Sequence, residues 1–521
     1  MWPRFGIKIG NSTICVATSK EDGKIEVVAN KHGNRVSHAV LLMNGDELEV
    51  GLTAKQKLTS KGMCSVVNNF QFLAKNLLED QLRDATGYLT CQYNIEEGKY
   101  ELRNRPQPGD GADEPAEVGR ISPYEVCVEF FKASFELARH CHILEEHPSV
   151  VLSIPIYYPP ESWTTIAEAA EEAGFNVSQV IPEHTAALLA YNHLIERSAS
   201  EKRVLCIKSG GLLTSVSLFN IENGLISLVG SAGPYYIGGK QFTDVLKDFI
   251  CTEFSKKYKL DPNESRRSIA KVQTAAEDCK HILTTLPSTQ IYIDSLMDGV
   301  DFNIQMSRAR YEMLIQPVLN EFMSTLNQAV ESILSRLDSQ PTESFIDEIV
   351  IAGGTMKIPK IQSTISARYP DAKLNSSHPP DEVVAMGCAT QTLFIDPDKV
   401  DIDTRTESDA KCSCIQDDIY LWHNSNKSKQ QLVFEKGSLL PSETVIEIEK
   451  PEIDGENNLA TKNDDSSEPV TENIKLSVQM GSSIGEIVLS DAKMGEGKVF
   501  KVRAIVEEMD GRPKMTLISA V

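Results

Sequence analysis

Apolar and polar residues alternate in two segments about two hundred residues apart, and the same kind of turn interrupts each segment. The first runs from Phe5 to Thr18 and the second from Val204 to Asn220. In each, an alternating run predicts a β-strand, which is followed by glycine with small polar or aliphatic residues and then by a second strand. The recurrence predicts a duplicated domain. Because glycine lets backbone amides approach an anion, the turns are candidate phosphate sites.

Strands and helices alternate from residue 1 to about residue 395, which is typical of an α/β domain. The clearest predicted elements are a helix over Glu161–Ala173 ended by Gly174, a strand over Asn176–Ile181, and helices over Thr185–His193, Arg266–Leu283 and Pro317–Leu337.

The composition changes after residue 395. Residues 396–412 are rich in Asp with few large apolar side chains, which predicts an acidic linker. Residues 413–521 contain short alternating runs, which predict a small all-β sandwich with a polar loop over Gly455–Thr471 and a hairpin turn at Asp510–Gly511. We expect no helical region to cover this sandwich.

A third glycine pair follows a strand of buried type. Glu348–Ala352 predicts that strand, Gly353 and Gly354 interrupt it, and a helix is predicted from Ile358. This order places backbone donors near a helix start, where an anionic ligand can bind. A glycine turn is often only a turn, so the hypothesis depends on all three occurring in one α/β chain.

One predicted helix carries four polar residues at helical spacing: Glu277, Lys280, His281 and Thr284. They share one face, opposite an apolar face. Such a face is commonly just solvated. The alternative is that it binds a ribose and a base, with the carboxylate accepting from the sugar hydroxyls.

Charge and composition limit the classes of function. The net charge is −22, which argues against direct binding to nucleic acid. No apolar stretch is long enough for a membrane span or a signal peptide, so we expect a cytosolic protein. The eleven cysteines form no C-x-x-C pair, and neither a zinc site nor a disulfide framework is predicted.

Several stretches together resemble the DnaK-type heat-shock chaperones of the seventy-kilodalton class. They are Asn34-Arg35, Glu183 with Thr185-Ala186-Ala187, Ile293-Asp294-Ser295-Leu296, Ser307-Arg308-Ala309-Arg310, Ile349–Gln362, and Pro380-Asp381-Glu382 with Gly387. The resemblance implies a two-lobed nucleotide-binding domain of the actin and hexokinase fold over residues 1–395. It extends more faintly to the β-tail.

The resemblance also implies an adenosine site. The residues that fall on the family's adenosine-binding positions are Glu277, Lys280, Thr284, Gly353, Gly354, Thr355 and Asp381, and His281 and Lys357 each stand where the family usually has arginine. The remaining candidates for the nucleotide site are Gly10, Asn11, Ser12, Gly210, Gly211 and Gly239.

The catalytic residues implied by the resemblance are largely missing. Lys8 and Lys208 occupy the positions of the two aspartates that organise magnesium, and Ser215 replaces a further aspartate. Phe70 lies where the family has the lysine that positions the attacking water, and Glu183 is the only clear catalytic remnant. Because phosphoryl transfer depends on placed charge and water, we expect little or no ATP hydrolysis.

Two lysines at the metal positions suggest that fixed ammonium groups replace Mg²⁺ and hold ATP. A lysine–phosphate contact at about 4 Å contributes on the order of 4 kcal/mol at an effective dielectric near 20, before desolvation. Two alternatives remain open at this stage. Each lysine could instead pair with an acid such as Glu183 in a cleft without ligand, or other residues could restore catalysis.

The leading functional hypothesis is a non-canonical, lidless chaperone of this class. The resemblance implies that it binds ATP, possibly without Mg, and assists unfolded or nascent chains with a J-domain co-chaperone. Any ribosome contact would be indirect. The alternative is an ordinary ATP-hydrolysing chaperone with compensating residues. A sugar kinase on the same fold fits less well, although fold alone does not exclude it.

Overall fold

The computed structural model describes residues 4–20, 22–44, 47–61, 64–74, 85–86, 89–103, 118–141, 147–191, 202–222, 225–335 and 346–395, and then a series of strands between residues 419 and 519. The predicted linker at 396–412, the loop at Gly455–Thr471 and the turn at Asp510–Gly511 lie outside the described residues.

The first lobe is built on a mixed sheet in which alternating apolar runs form the central strands. Its elements are β1 (Arg4–Ile9), β2 (Thr13–Ser19), β3 (Ile25–Val27), β4 (Val36–His38), β5 (Val40–Asn44), β6 (Glu47–Val50), α1 (Leu52–Lys61), β7 (Ser65–Val67), a 3₁₀ turn (Asn69–Leu73), β8 (Gln92–Asn94), β9 (Lys99–Arg103), β10 (Val118–Ile121), α2 (Pro123–Cys141), β11 (Ser149–Ile154), α3 (Pro160–Glu172), β12 (Asn176–Pro182) and α4 (Glu183–Leu189). The sheet order is β12-β11-β1-β2-β3, with β4 also paired to β2.

The second lobe repeats this plan. Its elements are β13 (Lys202–Ser209), β14 (Thr214–Glu222), β15 (Leu225–Tyr235), α5 (Gly239–Tyr258), a 3₁₀ turn (Pro262–Glu264), α6 (Arg266–Thr285), β16 (Ser288–Met297), β17 (Val300–Ser307), α7 (Arg308–Leu314), α8 (Gln316–Leu334), β18 (Glu348–Ala352), a 3₁₀ turn (Gly354–Lys357), α9 (Pro359–Arg368), β19 (Lys373–Asn375) and α10 (Val383–Gln391). The sheet order is β15-β14-β13-β18-β19.

The two sheets have the same connectivity around their first hairpin. β1 pairs antiparallel with β2 and parallel with β11, and β13 pairs antiparallel with β14 and parallel with β18. Lys8 and Lys208 are each the second-last residue of the first strand in their hairpin. The two-lobed α/β architecture and its duplication, expected from the sequence, are confirmed.

The C-terminal strands form two small antiparallel sheets. They are β20 (Ile419–His423), β21 (Gln431–Phe434), β22 (Ser442–Glu449), β23 (Ile474–Met480), β24 (Ser483–Leu489), β25 (Val499–Met509) and β26 (Arg512–Ser519). One sheet has the order β21-β20-β23-β24 and the other β22-β25-β26. Six of these strands agree within a few residues with the alternating runs of the sequence, and β20 was not predicted. The runs are Leu432–Phe434, Thr444–Glu449, Ile474–Met480, Glu486–Leu489, Lys498–Val506 and Lys514–Ile518.

Most helix predictions agree with the structure at their starts and differ at their ends. Gly174 adopts φ +106° immediately after α3 and its cap residue, as expected for the residue that ends the helix. The prediction for α4 was wrong at both ends. The helix begins at Glu183, because Pro182 supplies an extended cap immediately before it, and it ends at Leu189. The helix predicted from Ile358 begins at Pro359, after the 3₁₀ turn.

Each lobe has its own buried core, and a third buried cluster joins the two lobes. Phe5, Phe130 and Phe131 belong to the core of the first lobe, and Phe242 and Phe254 belong to the core of the second. A third cluster combines side chains from both sheets with α4 and α10, the two helices that cross between the lobes. The cleft therefore has a rigid floor made from both halves of the duplication.

The crossing helices approach so closely that one position requires glycine. An ideal Cβ placed on Gly387 in α10 would overlap the backbone carbonyl of Ala186 in α4. The contact fixes how the two lobes meet beneath the cleft, because α4 follows strand β12 of the first lobe and α10 follows strand β19 of the second.

Substituting Gly387 by alanine tests this contact. The added methyl group must displace one helix, and we expect the free energy of unfolding to fall by about 1–3 kcal/mol. The matched control is Gly354→Ala, where a new Cβ meets nothing within 4 Å. Urea unfolding followed by circular dichroism measures both variants. Equal midpoints would contradict the described packing.

Candidate functional site

A deep cleft opens between the lobes where the glycine turns of the two hairpins meet. It encloses about 970 Å³ of space free of protein atoms, part of it open to solvent. The predicted nucleotide residues that line it are Lys8, Gly10, Asn11, Ser12, Lys208, Gly210, Gly211, Gly239, Glu277, Lys280, His281, Thr284, Gly353, Gly354 and Thr355. Glu183, the expected catalytic remnant, lines it as well.

Two predicted residues do not line the cleft. Lys357 Nζ and Asp381 Oδ2 form an ion pair at 3.0 Å and are absent from its wall. Lys357 ends the 3₁₀ turn that begins at Gly354, and Asp381 lies two residues before α10. The structure brings these two together, and the charge of Asp381 also raises the pKa of Lys8.

The two glycine turns are closed by the same hydrogen bond. Gly10 N donates to Thr13 O and Gly210 N donates to Leu213 O, each at 2.9 Å. The amides of both glycines are thus used within their own turns. Among the described residues, the following two amides in each turn, of residues 11–12 and 211–212, make no backbone hydrogen bond and remain as donors.

The turns also face each other directly. An ideal Cβ on Gly211 would overlap Ser12 Oγ, so the first hairpin of one lobe touches the first hairpin of the other. A Cβ on Gly10 would lie 2.6 Å from Lys8 Nζ, which shows that this glycine leaves room for the ammonium group. The amide donors and the ammonium groups of the two strands therefore converge on one end of the cleft.

A buried ion pair lies at this end. Lys208 Nζ donates to Glu183 Oε2, and both residues are almost fully buried. The other carboxylate oxygen, Oε1, is buried without a hydrogen-bond partner among the described atoms. The alternative that a lysine pairs with Glu183 is thus realised for Lys208. The pair is oriented by α4, which begins at Glu183.

Lys8 is not paired in this way. Its Nζ donates to Thr13 Oγ1 at 3.0 Å, and no carboxylate of the described residues lies within ion-pair distance. Loss of hydration lowers the pKa of Lys8, the charge of Glu183 opposes that effect, and the charge of Lys208 adds to it. Asp381, which is paired with Lys357, adds a smaller opposing effect. Of the described residues that line this end of the cleft, two carry ammonium groups and one a carboxylate, so the lining has an excess of positive charge.

His184, beside Glu183, stays neutral in this surrounding. Its Nε2 lies 2.9 Å from Ser215 Oγ, and its Nδ1 contacts Ser217 Oγ. Burial, with a smaller contribution from Lys208, lowers the pKa of His184 to about 3. A neutral imidazole bonded to two serines of β14 therefore anchors α4 to the second lobe without adding another charge.

The wall beyond the ion pair is apolar. Phe70 stacks on Tyr158 with ring centroids 5.7 Å apart, and Tyr158 Oη donates to Phe70 O at 2.7 Å. Leu212 and Leu213, which follow the second glycine turn, are buried in the same lining. The side chains of Phe70, Leu212 and Leu213 have no polar atom that could hold or deprotonate a water molecule.

The opposite end of the cleft carries charged side chains of α6. Glu277 Oε2 forms an ion pair at 3.0 Å with Lys55 Nζ of α1, which joins the two lobes. Burial alone would raise the pKa of Glu277, but Lys55, Lys280 and His281 lower it to about 2. The carboxylate is therefore ionised at neutral pH and can accept hydrogen bonds.

Lys280 and His281 have unusual protonation equilibria here. Lys280 Nζ donates to Gly239 O at 3.0 Å and to Thr243 Oγ1 at 2.7 Å, which ties α6 to the start of α5. Burial lowers the pKa of Lys280 to about 8, although Glu277 opposes the change. Burial and then Lys280 lower the pKa of His281 to about 4, so its imidazole is neutral at pH 7.

Several lining residues were not predicted from the sequence. They are Thr13, His38, Tyr157, Tyr158, Ile358 and, through its ion pair with Glu277, Lys55. Thr13 follows the first glycine turn and could have been found from that position. The others come from segments with no glycine turn or charged helix face, and only the folded arrangement brings them to the cleft.

The donor set does not suit a divalent metal ion. The described part of the chain contains no group of three His, Cys, Asp or Glu side chains arranged to bind one. Carboxylate and water oxygens are the ligands that Mg²⁺ prefers, and the carboxylate at this end, Glu183, is already paired with Lys208.

In the described residues, no helix has the length and apolar character needed to cross a membrane.

Comparison with known proteins gives one consistent family. The sequence model described as Hsp70 protein matches residues 4–405. The chain is similar to heat shock 70 kDa protein 14 of Rattus norvegicus, with 33% identity over 389 residues, 74% of this chain and 73% of that protein. It is also similar to heat shock 70 kDa protein 14 of Homo sapiens, with 30% identity over 451 residues, 86% of this chain and 84% of that protein.

The low pKa of Lys280 predicts a specific dependence of stability on pH. Between about pH 8 and pH 10.5 the unfolded chain binds more proton at this residue than the folded chain. Stability therefore rises with pH in this window, by at most about 1.4 kcal/mol per pH unit. Below pH 8 the full cost of burying the ammonium group is present.

The measurement compares the wild type with Lys280→Met, which has no group that titrates at this position. The difference in free energy of unfolding, wild type minus variant, should increase from pH 8 to pH 10 in urea titrations. A difference that stays constant over this range would show that Lys280 titrates normally in the folded protein.

Proposed function

This chain belongs to the Hsp70 family, and from that premise we propose that it is a chaperone that holds ATP in the cleft without a metal ion and hydrolyses it weakly or not at all. Family membership itself implies a chaperone role and nucleotide binding. The proposal concerns how the nucleotide is held and what the protein does with it.

The observation that carries the proposal is the charge at the phosphate end of the cleft. Among the described residues that line this end, Lys8 and Lys208 face one carboxylate, Glu183, so the lining carries one positive charge in excess. Among the described residues, 11–12 and 211–212 donate no backbone hydrogen bond, and all four line the same cleft. A triphosphate supplies the negative charge that this arrangement lacks, and two fixed cations supply the charge that a divalent ion otherwise brings.

The adenosine part of the ligand fits the other end. Glu277 is ionised and can accept from the ribose hydroxyls, and the neutral His281 can flank the base without repelling Lys280. Gly353 adopts φ +93°, and a Cβ at that position would overlap Ser209 O, so the glycine allows the loop at 353–354 to lie against β13. These residues are proposed to bind the nucleoside.

Weak hydrolysis follows from what surrounds the phosphates. Hydrolysis needs a positioned water molecule and a group that can stabilise the developing charge. At this end the wall consists of Phe70, Tyr158, Leu212 and Leu213, and Glu183 is held by Lys208. ATP is then a structural ligand that fixes the relative position of the lobes.

The partners belong to the same proposal. We assign to the protein a J-domain co-chaperone, unfolded or nascent polypeptides as clients, an indirect association with the ribosome, and a place in the cytosol. The C-terminal strands support contact with extended chains, because two small sheets present edge strands, β21 and β24 in one and β22 and β26 in the other. Residues 396–412 are proposed to link the lobes to these sheets.

The first test is ATP binding without metal. In isothermal titration calorimetry, the wild-type protein should bind ATP with EDTA present about as tightly as with magnesium present, because the side chains proposed to bind the phosphates do not require the ion. A titration of the same protein with ADP provides the comparison. A loss of binding on addition of EDTA would contradict the proposal.

The second test removes one cation. Lys8→Met should lower ATP affinity roughly 10- to 100-fold, the effect of losing a hydrogen bond between charged groups. Lys373→Met changes the net charge equally at an exposed position outside the cleft, and it should leave the affinity unchanged. If both variants bind ATP like the wild type, Lys8 does not contact the phosphates.

Turnover distinguishes this proposal from an ordinary ATP-hydrolysing chaperone. Purified protein is incubated with radiolabelled ATP and a J-domain protein, and released phosphate is measured over hours with an ordinary Hsp70 as the positive control. We expect release near the background rate. Turnover equal to that of the positive control would require compensating catalytic residues and would remove the scaffold role.

A further inference from the structure

Tyr157 lines the cleft on its first-lobe side. The residue follows β11 and is partly buried. Its ring packs edge-on against Tyr158, with centroids 5.4 Å apart and an interplanar angle of 70°. Tyr158 directs its own hydroxyl away to Phe70 O. Among the residues that the structure describes, none forms a hydrogen bond with the Tyr157 hydroxyl.

The phenol of Tyr157 is held in its protonated form. Burial first, and then the charge of Glu183 and the neighbouring Tyr236, raise its pKa well above the ordinary value. The sheet places the residue at the same end: β11 pairs in parallel with β1, with Leu152 opposite Ile7, so the segment that follows β11 leaves the sheet beside the glycine turn at Gly10.

The hydroxyl of Tyr157 is a neutral hydrogen-bond donor with mostly apolar side chains beside it. Phe70, Tyr158, Leu212 and Leu213 form the adjoining apolar wall. A hydrogen bond from an O–H group to an anionic oxygen is stronger in such a setting than in water. A donor of this kind can hold a phosphate oxygen without supplying a base or a water molecule for its hydrolysis.

We propose that Tyr157 is a specificity-determining residue of the nucleotide site, whose hydroxyl donates to an oxygen of the terminal phosphate and makes the cleft favour ATP over ADP. Lys8 and Lys208 would bind the phosphates that the two nucleotides share. Tyr157, beyond Glu183 on the first-lobe wall, would contact only the third. This inference rests on the proposed function, since it specifies which nucleotide the same cleft retains.

The test measures the ratio of ATP to ADP affinity in the full chain with EDTA present. Tyr157→Phe removes the hydroxyl and keeps the ring. We expect ATP affinity to fall roughly 10- to 100-fold and ADP affinity to change less than about 2-fold. The matched variant is Tyr124→Phe, which removes a hydroxyl that donates to Glu172 Oε2 at 2.8 Å outside the cleft. It should leave the ATP-to-ADP ratio at the wild-type value.

The outcomes separate this inference from the function on which it rests. If wild-type protein binds neither nucleotide, the proposed function fails and the inference fails with it. If wild type prefers ATP and Tyr157→Phe keeps that preference, only the role of Tyr157 is overturned. Equal losses in the two variants would also overturn it, because the effect would then not depend on a hydroxyl in the cleft. Circular dichroism without nucleotide shows that each variant is folded.

Discussion

The arrangement of the site depends on the balance of charge around Glu183. A buried carboxylate with one lysine bonded to it is close to neutral, but a second lysine in the same cleft leaves a positive charge with reduced hydration. Leaving such a charge without a counter-ion is costly in a poorly solvated site. The protein limits that cost in two ways: His184 stays neutral, and Lys8 lies partly exposed in the cleft, where an anion can reach it.

The duplicated fold explains why the two cations meet. Each hairpin ends its first strand with a lysine, one further residue and a glycine turn, and the two turns touch where Gly211 meets Ser12. The crossing helices, which meet at Gly387, pack beneath both sheets. Nucleotide binding and lobe packing are coupled through this floor, because a ligand that bridges Lys8 and Lys208 bridges the lobes.

The sequence predicted most of the fold because its signals are local. Alternation placed the strands of both hairpins, and Gly174 marked the end of a helix. The positions of Lys8 and Lys208 could also be predicted from the sequence, since both lie next to recognisable turns. The pairing of side chains was harder to predict. The bond between Lys208 and Glu183 depends on how α4 leaves β12, and the cross-lobe pair between Lys55 and Glu277 joins residues with no shared pattern. Lys357 and Asp381 were assigned to the nucleotide site from resemblance, and they form an ion pair away from the cleft wall.

The most direct measurement is a crystal structure of the protein with ATP, grown with magnesium present in the drop. The account predicts intact ATP with Lys8 Nζ and Lys208 Nζ within hydrogen-bond distance of phosphate oxygens, and no metal ion between the phosphates and the protein. An octahedral ion that bridges the phosphates, with both ammonium groups turned away from them, would contradict it.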